Sequence, residues 1–126
     1  MHSVWRIEWE FKPHHGPYSA PDGKLGLTAM IAAGFDASDT LERPAPCNDF
    51  KPQHNQVWRD NTRYGFASVR ELVRWFDRKR RKKLREVGYL NYRLVLARYE
   101  TLYVVQGRRQ VAFDVSNATR KEWRYL

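Results

Sequence analysis

Residues 63–76, RYGFASVRELVRWF, constrain this chain more than any other tract. Residues 63–67 are short, aromatic and strand-like. Ser68 followed three residues later by Glu71 is the pattern of a capping box, so a strand stops where a helix begins. Val69, Leu72, Val73 and Phe76 recur at i, i+3, i+4 and i+7, one face of that helix, and such a face needs a sheet to lie on. Ser68 thereby stands at a strand-to-helix corner, a place that serves capping and chemistry alike.

The flanking sequence supplies the sheet. Residues 4–11, VWRIEWEF, alternate: Trp5, Ile7, Trp9 and Phe11 point one way, and Val4, Arg6, Glu8 and Glu10 the other. This predicts a strand with one apolar face, on whose other face Arg6 and Glu8 pair as neighbours. Pro13, Gly16 and Pro17 break it and open a long loop containing Tyr18. Residues 25–35 predict a helix of about three turns with Leu27, Met30 and Ile31 inward. The tract 36–56, rich in Asp, Pro and Asn, has no period and reads as a long irregular crossing. After the Ser68 helix a second helix is expected over residues 77–87, anchored by Leu84 and Val87 and stopped at Gly88. Residues 89–99 read as a strand. LYVVQ and QVAFDV then form a hairpin through Gly107, Arg108 and Arg109, with Val111, Phe113 and Val115 on the core side and Gln110, Ala112 and Asp114 opposite. No βαβ unit repeats, so the expected class is α+β, one small domain with a split antiparallel sheet and two or three helices.

A chain of 126 residues has room for one modest core, and 42% hydrophobic content is that of a folded domain. No apolar run reaches the length of a membrane span, and the first residues lack the basic start and apolar core of a signal peptide, so a cytoplasmic protein is expected. A single cysteine, Cys47, excludes an internal disulfide and fits a reducing compartment. The charge is local. Residues 78–85, RKRRKKLR, carry seven basic groups and no acidic one, so without them the formal balance of +9 would fall to +2. Arg78, Lys79, Arg80, Arg81, Lys82, Lys83 and Arg85 form a patch suited to a phosphate backbone or an acidic protein surface, or to a solvated helix face.

Several chemistries are absent: no phosphate loop, no dinucleotide glycine fingerprint, no paired-cysteine zinc pattern and no serine elbow. His14, His15, Cys47 and His54 fall in loops at a spacing that fits no zinc site, and no metal is expected. Three polar positions lie on strands or strand ends: Arg6, Ser68 and Gln110. Their order and setting resemble the ADP-ribosyltransferase superfamily, in which an early strand carries Arg or His, a middle strand leads through Ser or an aromatic motif into a helix, and a late strand opens with Glu or Gln. YGFASVRELVRWF looks like that middle segment and RRQVAFDV like the late one.

The resemblance implies that nicotinamide adenine dinucleotide binds as co-substrate in a cleft between two small sheets. Arg6 would orient phosphate or ribose, Ser68 would hold the nicotinamide ribose, and Tyr18 or Phe66 would stack on nicotinamide. A late-strand carboxylate would stabilise the oxocarbenium-like ribose; here Gln110 stands in that place, an amide that can hold a hydroxyl but supplies no charge. A second resemblance runs along the whole length. WRIE, GPY, RPAPCND, YGFASVRELVRWF and GRRQVAF are similar to a group of short proteins of tailed bacteriophages and prophages, which implies the cytoplasm of an infected bacterium and a host target, including defence systems. Two functions follow as expectations. One is an ADP-ribosyltransferase-like protein that modifies a host protein or nucleic acid recruited by the basic helix. The other is a non-catalytic inhibitor or nucleic-acid-binding protein acting through the same helix.

Overall fold

The computed structural model describes residues 1–17, 46–52, 59–88 and 93–126. The alternation near the N-terminus becomes strand β1, His2–Trp9, which pairs antiparallel with β3, Leu94–Thr101, in the register Val4↔Tyr99, Arg6↔Ala97, Glu8↔Val95. Outside β3 lies β6, Thr119–Tyr125, so the first sheet has the order β1-β3-β6. The second sheet has β5, Val111–Asp114, in the middle, with β2, Thr62–Gly65, on one side and the two-residue β4, Val105–Gln106, on the other. Three helices complete the described chain: the single turn α1, Pro46–Asp49; α2, Val69–Trp75; and α3, Arg78–Gly88. The class is α+β, built on two antiparallel three-stranded sheets.

Among the described residues, backbone hydrogen bonds join the two sheets at one point. Trp5 donates its amide to Phe66 O at 2.8 Å and Phe66 donates back to Trp5 O at 2.9 Å. Gly65 makes this approach possible: a Cβ there would lie 2.5 Å from Val4 Cγ1 and 2.7 Å from Trp5 O. Two apolar clusters flank the junction. Ile7, Trp9, Phe66, Leu72, Trp75, Phe76, Leu84, Leu94 and Leu96 seat α2 and α3 on one face of the first sheet. Val4, Ala97, Tyr99, Val111 and Phe113 fill the space between the other face and β5.

That second cluster corrects the expectation of a strand with one apolar face. Val4, Arg6 and Glu8 are buried as thoroughly as Ile7 and Trp9, because the second sheet covers them. Phe11, past the strand's end, is exposed. The face of α2 is also rotated from the expected stripe. Leu72 and Phe76 go in as read from the spacing, but Trp75 is buried and Val73 is exposed. Leu72, Trp75 and Phe76 are themselves an i, i+3, i+4 seam, and the larger apolar area of tryptophan decides which seam faces the sheet.

Ser68 caps α2 as expected, accepting the Glu71 amide on Oγ at 3.2 Å. Asp77 Oδ1 accepts from Arg80 N at 2.9 Å and starts α3, which includes Gly88. β3 begins at Leu94, later than expected, with residues 89–92 outside the described set. The hairpin forms, but only Val105 and Gln106 of LYVVQ pair, and Ala112 and Gln110 are buried along with Val111 and Phe113, while Val115 is half-buried. β6 is an unforeseen strand, entered through a 3-10 turn at Val115–Asn117 in which the Asp114 side chain accepts the Ser116 amide. The expected helix over residues 25–35, Tyr18 and most of the crossing at 36–56 lie outside the described residues. Among the described residues no helix is long and apolar enough to cross a membrane.

Candidate functional site

The C-terminal end of β2 is where the three polar positions meet the fold. On one edge β1 arrives, with Trp5 bridged to Phe66 and the stem of Arg6 beside Gly65. On the other edge β5 begins, with Val111 paired to Gly65 and Gln110 preceding it. Ser68 follows two residues after Phe66, at the start of α2. The antiparallel pairing of β2 and β5 and the β1 bridge therefore bring Arg6, Ser68 and Gln110 to one end of one strand.

Each of the three also has structural work. Arg6 is buried and all three of its donor atoms are engaged: Nε to Glu8 Oε2 at 2.9 Å, Nη1 to Tyr64 O, and Nη2 to His14 O at 3.3 Å. Ser68 Oγ is used as an acceptor in the cap, which leaves its hydroxyl hydrogen to donate. Gln110 is buried, and its backbone is held from the side by Asp49, whose Oδ1 and Oδ2 accept from Arg109 N at 2.8 Å and Gln110 N at 2.9 Å. Asp49 O also accepts from Arg108 N at 3.0 Å, so the α1 turn clamps the β4–β5 hairpin. Phe66 is enclosed, its ring 5.5 Å from Trp75 and 6.1 Å from Phe76, and a ring packed in this way has no open face for a nicotinamide.

The strongest electrostatic arrangement lies on the inner face of the first sheet and was only half legible beforehand. The expected Arg6–Glu8 pair is present, but Glu8 has no exposed surface and two further partners. Tyr99 Oη lies 2.9 and 2.8 Å from its two oxygens, and Arg120 Nη2 donates to Oε1 at 3.0 Å. Burial pushes the Glu8 carboxyl up, yet the Arg6 guanidinium, the Tyr99 hydroxyl and Arg120 outweigh it and hold the group below its ordinary value. The same burial, with the Glu8 charge, pushes the Tyr99 phenol well up, so it stays a donor. Its hydrogen goes to Glu8, which leaves its oxygen to accept from His14 Nδ1–H at 2.8 Å.

His14 itself has φ 74°, the left-handed region that non-glycine residues rarely adopt. Its carbonyl is held there by Arg6 Nη2 and by Arg63 Nε at 2.8 Å. Signals for this cluster were present in the sequence as Arg6, Glu8 and two adjacent histidines. Nothing local linked them to Tyr99 and Arg120, which arrive through strand pairing.

The basic residues fall on α3 as expected. Arg78, Lys79, Lys82 and Arg85 are exposed, while Lys83 is half-buried. Arg80 pairs with Asp77 at 3.4 Å and Arg81 Nη1 donates to Phe76 O at 2.9 Å, so these two fasten the helix to its own start. Leu84 is fully buried and anchors it in the core. Among the described residues no group of three His, Cys, Asp or Glu side chains is placed to hold a metal ion.

No curated protein and no solved structure matches the chain. A family model described as Bacteriophage T4 Y00F protein does match it, over residues 1–125. The phage resemblance read from the short motifs thus has a counterpart along nearly the whole length, and the chain belongs to the Bacteriophage T4 Y00F protein family.

Proposed function

We propose that this phage protein works by binding: α3 docks on a polyanionic surface of a host component, nucleic acid or acidic protein, and blocks it. The observation that carries this reading is the division of labour along α3. Leu84 is fully buried and Arg80 and Arg81 are tied to Asp77 and Phe76 O, which leaves Arg78, Lys79, Lys82 and Arg85 presented to solvent on a fixed helix. A fixed set of cations loses little freedom on binding and releases counterions from a polyanion. The setting is the cytoplasm of the infected bacterium.

A second reading, an ADP-ribosyltransferase-like scaffold that modifies the target so recruited, is favoured by the placement of Arg6, Ser68 and Gln110 on backbone segments that adjoin the C-terminal end of β2. Of the residues the resemblance assigns to nicotinamide adenine dinucleotide, Ser68 keeps a free hydroxyl hydrogen, whereas Arg6 and Phe66 are engaged within the fold. Gln110 brings no charge to the reacting ribose, and the adjacent Asp49 carboxylate is occupied by two amides. These features support a scaffold of that kind better than they support catalysis.

The test is capture from bacterial lysate by the native protein and by a variant with Arg78, Lys79, Lys82 and Arg85 all changed to Glu, followed by protease or nuclease treatment. Capture lost in the variant and destroyed by only one treatment supports the binding reading and names the target class; equal capture by both proteins removes α3 from the function. Labelled ADP-ribose supplied in parallel as nicotinamide adenine dinucleotide decides the second reading. Incorporation that requires Ser68 supports transfer, and its absence leaves binding alone.

A further inference from the structure

The cluster around His14 is not used by the binding reading, and its construction calls for an explanation. A buried carboxylate, Glu8, fixes the Tyr99 hydroxyl, which in turn accepts from His14 Nδ1–H at 2.8 Å. With Nδ1 protonated and engaged, the neutral imidazole presents a bare lone pair at Nε2, which has no hydrogen-bond partner among the described residues. The backbone that aims the ring is strained, at φ 74°, and is held by two guanidinium groups on its carbonyl. Strain that the surroundings over-determine in this way collects at ligand clamps.

Charge points to the ligand. Arg6, Arg63 and Arg120 surround His14 and only Glu8 opposes them, so the cluster is cationic before any proton is added. Arg6 is fully engaged, but among the described residues Arg63 uses only Nε and Nη1, toward the carbonyls of His14, Asp60 and Thr62. Among the described residues Arg120 uses only Nη2, and its buried Nε has no partner. Burial lowers the His14 imidazole; Glu8 opposes this, and Arg120, Arg6 and Arg63 lower it further, so the ring is neutral at pH 7. An arriving anion reverses the balance of charge and makes protonation of Nε2 favourable.

We infer that His14, with Arg63 and Arg120, forms a binding site for a phosphate group, which is taken up together with a proton on His14 Nε2. The proton turns Nε2 from a lone pair into a donor aimed at a phosphate oxygen, and the proton comes from solvent. This inference rests on the cluster's geometry and not on the use of α3.

Calorimetry with inorganic pyrophosphate, inorganic phosphate and nicotinamide adenine dinucleotide, each in two buffers of different ionisation enthalpy at pH 7.5, tests it. His14→Asn is the informative variant, because asparagine tolerates the left-handed backbone and its amide can replace Nδ1–H toward Tyr99 while nothing titrates. The titratable and charged groups facing His14 are Arg6 and Glu8 on β1, Arg63 on β2, Tyr99 on β3, Arg120 on β6, and the adjacent His15, which itself faces Lys12. His15→Asn is therefore the control. The expected result is binding of at least one of the three probes with uptake of about one proton in the native protein and in His15→Asn. In His14→Asn uptake should vanish and binding weaken about tenfold. Binding with no proton uptake, uptake that survives in His14→Asn, or no binding of any probe at millimolar concentration overturns the inference. The α3 variant separates the two proposals: phosphate bound equally well with α3 reversed in charge keeps this site, and loss there assigns the phosphate to α3 instead.

Discussion

Glu8 has no contact with solvent, yet Arg6, Tyr99 and Arg120 all direct hydrogen atoms to it. Exchanging it for Gln leaves two guanidinium groups facing a neutral amide, one of them buried, and should cost about 3–5 kcal/mol in urea denaturation at pH 7. The pH dependence follows from the direction of its shift. Because the folded carboxyl titrates below the unfolded value of 4.5, its contribution is complete above that pH and is lost as pH falls through the folded value. His14 acts in the same sense at higher pH. Its folded imidazole titrates below 6.5, so the unfolded chain binds more protons and stability declines as pH falls from 6.5 toward the folded value. Urea midpoints of the native protein should therefore drop in two stages on acidification; His15 also titrates below 6.5 and Asp114 below 3.8, so the upper stage shrinks in His14→Asn and the lower one in Glu8→Gln, and neither vanishes.

At the scale of elements, α2 shows what the sequence can and cannot announce. Ser68 and Glu71 were legible because a cap is a local contract between neighbours, and Ser68→Ala should cost about 1 kcal/mol. Which stripe of α2 turns inward was not, since 69/72/73/76 and 72/75/76 are both helical seams and only packing against Phe66 selects the second. Trp75→Ala is expected to cost about 3–5 kcal/mol and Val73→Ala within about 0.5 kcal/mol, a contrast that thermal melts would resolve. β6 escaped notice for a different reason. It is exposed along nearly its whole length, so TRKEWRY carries no inward alternation, and its only strand-like signature is the spacing of Trp123 and Tyr125. Asp49 was hidden in an aperiodic tract, and its value comes from the amides of Arg109 and Gln110, some sixty positions later. Replacing it with Ala orphans both and should cost about 1–3 kcal/mol for each buried amide left without a partner, read from the same melts. Of the candidate site, Arg6–Glu8 pairing and the basic face of α3 could be read from neighbours; the adjoining of the segments that carry Arg6, Ser68 and Gln110 follows from strand order, and the Tyr99–His14 link from register.

Across the whole molecule, two backbone hydrogen bonds between Trp5 and Phe66 and the bare backbone of Gly65 connect the sheets. Gly65→Ala drives a methyl into Val4 and the Trp5 carbonyl, so it should loosen both sheets together. Far-ultraviolet dichroism and tryptophan fluorescence are expected to report one shared, lowered transition; separate transitions would mean that the sheets unfold independently. At the far side of the first sheet the edge of β6 has no further strand beyond it among the described residues. An open edge with exposed Trp123 and Tyr125 is a template on which another copy could add and polymerise. Lys121, Glu122 and Arg124 along that strand, and the break in register between Arg98 and Tyr99, give it the charged side chains and the bend that discourage such addition. The strand whose Arg120 reaches the buried carboxylate thus also carries charged side chains of the kind that disfavour edge-to-edge addition of further copies.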